Sequence, residues 1–470
     1  MNAHRTIAWI AAASLALVLL AGCGEAPAPA EPTPPEEPTP AAEPAPADVP
    51  YNGLFDQSVV HTLDVEISDA DLQDQRANPL DKTKYHVAVT IDGERLEDVS
   101  FSTKGSSSLT MPVNSGSCRY PFKLNFGKFD KEQTYYGLDK LNLSNFYGDA
   151  SEMKDWLAYR IMAEAGVDAP LTSYVWLTIN GEDMGLYLAI EEIGDGWMDR
   201  TGHRTGALYK PEARFSNMNN DGAADAHIIS EEGLLAYFLT RMERFGSPEE
   251  SGSALVYIDD EYESYPDIFD NAETKVTDED KARLIRSIRA LNDPAQRRSV
   301  IDTEEVIRYF AAHNFVLSPD SYTGLTAHNY YLYEQDGILS MYPWDYNSSF
   351  GRHLSSLHPE LSRDAIVGWD IDAPLFDTVP SDRPMWAWIA EEEDSLAQYH
   401  AVMDELVANY FESGRFEAEI DAIYALIEPY QAKDPTAFFS PEESRAACQD
   451  LKAFCTDRAS AVRAQLDTAG

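Results

Sequence analysis

The sequence predicts an α+β protein with an antiparallel sheet and one helix in its N-terminal half and mainly helices in its C-terminal half. Apolar residues alternate along the stretch 61–143, for example at Leu63, Val65 and Ile67, which is typical of half-buried strands. From about 384 to 466 the apolar residues recur at helical spacing. The 470 residues are 44% hydrophobic and include 25 Tyr, 19 Phe and 8 Trp, enough for a packed core.

Strands in the N-terminal half are bounded by recognisable turns. One alternating segment runs into Asp92-Gly93, and a hairpin over 175–190 turns at Asn180-Gly181, a pair typical of type I′ turns. In the segment 122–126, Lys123 alternates with apolar residues, so its side chain is predicted on the opposite face from theirs. A helix over about 153–161 is predicted among these strands.

The C-terminal half contains two further helices and a second hairpin. Helical patterns are predicted near 278–292 and after Asp302, where Glu305 completes a capping pattern. The hairpin "HNYYLYEQDGILSMYPWDY" (328–346) turns at Asp336-Gly337.

The charge balance restricts the possible partners. The formal net charge is −44, from 36 basic and 80 acidic residues. Non-specific binding to nucleic acid or to an anionic membrane is disfavoured, because phosphate groups would be repelled. The excess acid is interpreted as a solubilising surface; a surface that attracts cations or basic partners is the alternative.

The first 23 residues are predicted to be a targeting segment. An apolar run follows Arg5 and ends in "LAGC" at Cys23, which resembles the bacterial lipoprotein signal, in which the cysteine is lipidated after cleavage. A plain secretory signal is the alternative. Residues 24–50 consist mainly of Pro, Ala and Glu and are predicted to be a disordered tether. We therefore expect an exported protein, anchored only by its N-terminal lipid to the cell membrane or outer membrane and facing the periplasm or the cell exterior.

Two other patterns carry a possible disulfide and a possible calcium loop. Cys448 and Cys455 are seven residues apart in a helical stretch, roughly 10 Å along a helix, so they pair only if the helix breaks or if one of them bonds elsewhere, for instance to Cys118. The segment "NMNNDGAAD" (217–225) begins like a calcium loop but has Ile228 where the bidentate Glu belongs, which favours a surface loop.

Three oxygen-bearing side chains surround the second hairpin. Asp320 precedes it, Asn329 begins it and Asp345 ends it. A three-residue loop at 336–338 would place Asn329 opposite Asp345; a two-residue loop would pair Asn329 with Trp344. In the first register, oxygen ligands suited to Mg²⁺ or Mn²⁺ with bound phosphates converge at the open end of the hairpin.

The same order of Asp, Asn, hairpin and Asp is found in protein kinases. The chain resembles the CotH family of atypical secreted protein kinases in "KGSSS" (104–108), "YPFKLNF" (120–126), "INGEDMGLYLAIEEI" (179–193), "PDSYTGLTAHNYYLY" (319–333) and "YPWDYNSSFG" (342–351). The resemblance implies a two-lobe kinase-like fold and transfer of phosphate from ATP, with Mg²⁺ or Mn²⁺, to Ser or Thr of an unidentified cell-envelope or extracellular protein. It further implies a core over 51–355 with a helical extension of the C-terminal lobe over 356–470.

The resemblance also implies site residues. Asp320 would be the catalytic residue, and Asn329 and Asp345 would bind the metal. The cofactor-binding residues would be Lys104, Gly105, Ser106, Lys123 and Glu191, with the first three in a donor-rich turn between two strands. Glu152 and Glu164 are the candidates for the acid that pairs with Lys123.

Two other functions are compatible with the sequence. The first is a cell-surface binding or structural protein that keeps this fold without catalysis. The second is a hydrolase of envelope glycans that uses a pair of carboxylates, for which two placed acids are not a signature.

Overall fold

Seven strands of the N-terminal half close into a barrel in a computed structural model, which describes residues 50–214 and 234–469. The strands are β1 Val60–Glu66, β2 Tyr85–Ile91, β3 Glu94–Thr103, β4 Phe122–Asn125, β5 Lys140–Ser144, β6 Thr172–Ile179 and β7 Glu182–Glu191. Their order is β1-β2-β3-β4-β5-β7-β6, and β6 closes the barrel by pairing with β1 in parallel. The predicted α+β class is confirmed, but the predicted sheet is a closed barrel. Alternating apolar residues set which face of a strand is buried and carry no information on whether the two sheet edges meet.

Both predicted N-terminal turns are two-residue turns. Ile91 pairs with Glu94 across Asp92-Gly93, and Ile179 pairs with Glu182 across Asn180-Gly181. The turn residues all have positive φ, between 48° and 88°, as a type I′ turn requires. The Asn-Gly and Asp-Gly pairs were therefore reliable markers of register.

Four helices accompany the barrel strands, where the sequence predicted one. They are α1 Asp69–Ala77, α2 Ser107–Ser115, α3 Lys154–Glu164 and α4 Asp195–Thr201. The predicted helix is α3, whose Trp156, Leu157 and Ile161 are buried. The stretch 104–108, predicted as a turn between strands, runs into α2 instead, so that prediction is wrong in part. Its serines are weak helix formers that favour helix starts, which the composition alone did not distinguish from a turn.

The C-terminal half combines a small sheet with helices, as predicted. The strands β8 Ala207–Tyr209, β9 Tyr330–Gln335 and β10 Ile338–Pro343 form an antiparallel sheet in the order β10-β9-β8. The helices are α5 Leu234–Phe245, α6 Pro248–Ser251, α7 Pro266–Phe269, α8 Asp278–Leu291, α9 Thr303–Val316, α10 Arg352–Leu357, α11 Arg363–Val367, α12 Pro384–Glu391, α13 Glu393–Leu406, α14 Arg415–Gln431 and α15 Pro441–Ala469. A π-helical turn, Val407–Glu412, follows α13. Short 3₁₀ helices lie at Pro50–Phe55, Pro79–Asp81, Tyr262–Ser264, Arg297–Val300 and Pro380–Asp382.

Two hydrophobic clusters stabilise the fold. One fills the barrel and includes Leu63, Val89 and Leu124. The other is larger and joins the outer face of β6 and β7, through α3, to the C-terminal helices and the β8–β10 sheet. The barrel and the helical half are therefore packed on a shared apolar core, and the loops at their junction are held on both sides.

The three cysteines of the folded part do not form a disulfide. Cys118, Cys448 and Cys455 are separate thiols, and α15 continues unbroken through the last two, so neither disulfide alternative is adopted. In 50–214 and 234–469, no helix has both the length and the apolar character to span a bilayer. Cys23, the tether and the loop 217–225 lie outside the described residues.

Candidate active site

The second hairpin has a two-residue turn, so the predicted register is wrong. Gln335 pairs with Ile338 across Asp336-Gly337, and the last pair of the ladder joins Tyr330 to Pro343. Continuing by one residue places Asn329 opposite Trp344, not opposite Asp345. The Asp336-Gly337 pair adopts positive φ at both positions, the same type I′ geometry as in the barrel hairpins, and that turn fixes the register.

Asn329 nevertheless reaches the loop of Asp320. Asn329 and Asp345 have φ of 53° and 54°, so the chain leaves strand geometry at both ends of the hairpin. The Asn329 side-chain amide nitrogen donates to the backbone carbonyl of Asp320 at 2.7 Å. The amide oxygen has no hydrogen-bond donor within the described part of the chain, and it is left as a possible ligand.

Asp320 is held as an ionised carboxylate. Nε2 of His328 lies 2.8 Å from its Oδ1. Burial alone would raise the pKa of Asp320, but the charges of His328, His353 and Arg352 outweigh burial and hold that pKa well below its usual range. A carboxylate in this state can accept a hydrogen bond from a substrate hydroxyl at neutral pH.

The pKa of Asp345 is shifted in the opposite direction, upward. Burial raises its pKa and the charge of Asp320 adds to the rise, while Lys104, Lys210 and His328 oppose it. Its backbone N–H donates to the Tyr159 hydroxyl at 3.0 Å, which fixes the backbone at the end of β10.

A third carboxylate lies close to Asp345. Burial raises the pKa of Asp155 to about 8, and Asp345 is the next largest cause. Mutual repulsion of this kind marks a place where a cation would stabilise the folded protein.

Lys123 lies on β4 and pairs with an acid that the sequence analysis missed. Its Nζ is 2.6 Å from Oε1 of Glu192, directly after β7. Glu192 also accepts from Asn142, and although burial acts to raise its pKa, Lys123, Lys140 and Lys104 hold it well below the usual range. Glu192 is therefore the anionic centre of a group of lysines.

The two acids predicted to pair with Lys123 lie elsewhere, so that prediction is wrong. Glu152 accepts from Gln431 at 3.2 Å and is 3.9 Å from Arg119. Glu164 binds Arg160 and Arg415 on the outer side of α3. The only sequence signal for Glu192 was its place beside Glu191 at the end of a strand.

Glu191 is placed in an internal network. It is fully buried, and its carboxylate accepts from the Tyr51 hydroxyl at 2.7 Å, from Arg200 at 2.7 Å and from the Leu171 N–H at 3.0 Å. These protein donors engage both carboxylate oxygens. Its predicted contact with the nucleotide stays a prediction.

Lys104 and Lys210 both lie over the ring of Trp344. The Lys104 Nζ is 5.2 Å from the centre of the Trp344 ring, and the Lys210 Nζ is 5.7 Å from it. Gly105 follows with φ of 87°, and a Cβ there would lie 2.5 Å from Oγ of Ser108. Ser106 is the residue before α2. The loop therefore brings Lys104 from the barrel onto the end of β10, next to Asp345.

Several residues of this site were not predicted. Lys210 pairs with Glu212 at 2.7 Å, and Lys140 lies 3.7 Å from Glu273. These lie far from the hairpin in sequence and reach it only through the β8–β9 pairing and the barrel closure. His328 was detectable only as the neighbour of Asn329.

The donors present fit a hard divalent cation. Asp345, Asp320 and the free amide oxygen of Asn329 are oxygen donors, the class that Mg²⁺ and Mn²⁺ prefer. Among the described residues, no three His, Cys, Asp or Glu side chains are close enough together to hold a metal by themselves. Mg²⁺ commonly retains several waters and uses substrate phosphates as further ligands, so one or two carboxylates are sufficient.

Comparisons with known proteins identify the family of the chain. The chain is 22% identical over 312 residues to the inner spore coat protein H of Bacillus subtilis (strain 168). The aligned region covers 65% of this chain and 73% of that protein. It is 35% identical over 96 residues to the inner spore coat protein H-like protein of the same organism, covering 20% of this chain and 30% of that protein. The family described as CotH kinase protein matches residues 101–462, more than three quarters of the sequence, and the chain is therefore a member of the CotH family.

Proposed function

We propose that this protein is an exported, lipid-anchored protein kinase that transfers the γ-phosphate of ATP to Ser or Thr of a cell-envelope or extracellular protein. In this proposal the barrel is the N-terminal lobe of a kinase-like fold and the helical half is the C-terminal lobe. The observation that carries it is the arrangement around Trp344. Lysines from the barrel and from the segment after β8 converge there on Asp345, with Asp320 close by.

The lysines would hold the phosphates. Lys104 and Lys123 come from the barrel and Lys210 from the helical half, and a polyphosphate between them would gain charge-assisted hydrogen bonds from both sides. Burial lowers the pKa of Lys104, although Asp345 and Glu192 oppose that effect, and an added phosphate charge would favour its protonated form. Glu192 would keep Lys123 in one orientation.

Asp320 would orient the acceptor. His328 holds one of its carboxylate oxygens and Asn329 holds its backbone, so the other oxygen is available to a hydroxyl. The acceptor oxygen would form a bond to the γ-phosphorus while the bond from that phosphorus to the β–γ bridging oxygen breaks. ADP would leave, and the hydroxyl proton would pass through Asp320 to solvent. A divalent cation on Asp345 and Asn329 would neutralise phosphate charge.

The test is transfer of label from γ-labelled ATP, with Mg²⁺ or Mn²⁺, to the protein itself or to a Ser/Thr-rich acceptor. Wild type is expected to give phosphoserine or phosphothreonine, identified by mass spectrometry. Asp320→Asn and Asp345→Asn are expected to lower transfer at least a hundredfold, because they change the catalytic carboxylate and the metal-binding carboxylate. Equal labelling by all three proteins would refute the assignment. Absence of labelling by wild type, together with binding of a polysaccharide or protein, would favour a non-catalytic surface protein.

A further inference from the structure

A cavity in the helical half contains none of the phosphate-binding lysines of the candidate active site. Its volume is about 460 Å³, within the range typical of ligand-binding cavities. Its apolar wall is formed by Phe350, Leu361, Ile366, Phe439, Leu451 and Phe454. The loop 148–151, the start of α10, α11 and α15 enclose it.

The cavity lies beside the segment that leads to Asp320, because the backbone N–H of Phe350 in its wall donates to the Val316 carbonyl at 2.7 Å. Arg352 lines the cavity, and its charge is among those that lower the pKa of Asp320. Lys104, Lys123 and Lys210 lie around Trp344 and Glu192 and do not line it. A nucleotide held by those lysines therefore leaves the cavity accessible to the other reactant, which must also reach Asp320.

The lining has more unused hydrogen-bond donors than acceptors. Among the described residues, the Arg352 side chain makes one hydrogen bond, from Nη1 to Oγ of Ser348 at 3.4 Å, and has no carboxylate within 4 Å. Lys154 has one carboxylate neighbour, Asp149, at 4.0 Å. By contrast, Arg363 is already paired with Asp457 at 2.6 Å.

The acidic residues of the lining offset Lys154 in part and form no ion pair with Arg352. The carboxylate of Asp149 accepts from the backbone N–H and hydroxyl of Ser151 and from the backbone N–H of Lys154, at 2.6–3.1 Å. Asp450 is exposed on α15 at the edge. Gly148 leaves room for Arg352, because a Cβ at that position would lie 2.1 Å from a guanidinium nitrogen.

We infer that this cavity is the acceptor subsite, in which Arg352 and Lys154 bind an anionic side chain, carboxylate or phosphoryl, of the protein substrate near the Ser or Thr that is phosphorylated. The inference rests on the proposed kinase function. A planar guanidinium with unused donors suits the two oxygens of a carboxylate or a phosphoryl group. The apolar wall would contact the aliphatic part of the bound side chain.

The test uses peptides with one Ser in an Ala/Gly background and a single Glu, phosphoserine, Lys or Leu at each flanking position. Initial rates at low peptide concentration with ATP report kcat/KM. Wild type is expected to prefer Glu or phosphoserine at least tenfold over Leu at one or two fixed positions. Arg352→Gln is expected to reduce that preference to about twofold or less, with the affinity for ATP unchanged; the preference is a ratio of rates within one variant, so a uniform change in rate does not alter it. Arg363→Gln, in the same wall but already paired, is the matched control and should keep the preference.

Retention of the preference in Arg352→Gln, or its absence in wild type, would overturn the inference. A separate arm measures binding of the labelled phosphoserine and serine peptides by fluorescence polarisation without ATP. If the cavity is the acceptor subsite, wild type and Arg363→Gln should bind the phosphoserine peptide more tightly than Arg352→Gln does. Failure of ATP binding or of phosphate transfer would refute the kinase function, and the polarisation arm would still decide whether the cavity binds anions. Lys154→Gln gives a second variant should Arg352→Gln fold poorly.

Discussion

Neutralising Glu192 tests the lysine group at the end of the barrel. Glu192 is almost fully buried and pairs with Lys123, whose side chain is 29% exposed. Removing one partner of a fully buried pair costs about 3–5 kcal/mol, and the partial exposure of Lys123 reduces this to about 2–3 kcal/mol for Glu192→Gln. Phosphate transfer should also fall about ten- to a hundredfold, because Lys123 is no longer held in position.

Glu191→Gln is the matched control, one residue away. The pair of Glu191 with Arg200 is buried on both sides, so the free energy of unfolding should fall by the full range of about 3–5 kcal/mol. Its transfer rate, measured where the variant is folded, should stay within about threefold of wild type if the Tyr51, Arg200 and Leu171 donors occupy the carboxylate, whereas a larger fall would support the predicted contact of Glu191 with the nucleotide. Unfolding free energies come from urea titrations and rates from labelled ATP.

The pH dependence of the free energy of unfolding tests whether Glu192 acts as an ionised carboxylate. The pKa of Glu192 is lower in the folded protein than its ordinary value of about 4.5. Its contribution is therefore complete above pH 4.5 and is lost as the pH falls below that value. The stability difference between wild type and Glu192→Gln should shrink in acid.

The role given to Glu192 would be refuted by either of two results. One is that Glu192→Gln transfers phosphate as fast as wild type, and the other is that Glu191→Gln loses more rate than Glu192→Gln.

Three further predictions concern single residues. Asp345→Asn should lower phosphate transfer at least a hundredfold and raise the free energy of unfolding in metal-free buffer, because burial disfavours the carboxylate charge; a lower free energy of unfolding would contradict this reasoning. His313 is buried with a pKa lowered to about 3, so wild type should lose stability relative to His313→Gln as the pH falls from 6.5 to 4.5 in urea titrations; parallel curves would contradict this. Arg119→Leu should lower the free energy of unfolding by about 3–5 kcal/mol, since it leaves the fully buried carboxylate of Asp434 unpaired; a loss below 1 kcal/mol would contradict a buried ion pair.

Local signals in the sequence were sufficient for the hairpins and for most helices. Asn180-Gly181 and Asp336-Gly337 specify their turns directly, because few other residue pairs adopt positive φ at both positions. The helix after Asp302 begins as predicted, with the Asp302 side chain accepting from the Glu305 N–H. Such features depend on neighbours in the chain and can be inferred from it.

The parts of the site that were missed depend on contacts distant in sequence. Closure of the barrel by β1 and β6 has no local signature. Glu191 and Glu192 are adjacent, and only the exact end of β7 decides which of them meets Lys123. Lys210 reaches Trp344 because β8 pairs with β9, over a sequence separation of more than 120 residues. Asp320, Asn329 and Asp345 were proposed because all three flank one hairpin, although the register proposed for them was wrong.

Thermal unfolding with and without ATP and a divalent cation tests the central claim most directly. A ligand at a hundred times its Kd stabilises a protein by about 2.7 kcal/mol. The account predicts that ATP with Mg²⁺ or Mn²⁺ raises the Tm of wild type by several degrees, and that the increase is largely lost in Lys123→Met and Asp345→Ala but kept in Arg363→Gln. No increase for wild type, or an equal increase in all four proteins, would contradict a nucleotide site at Lys123 and Asp345.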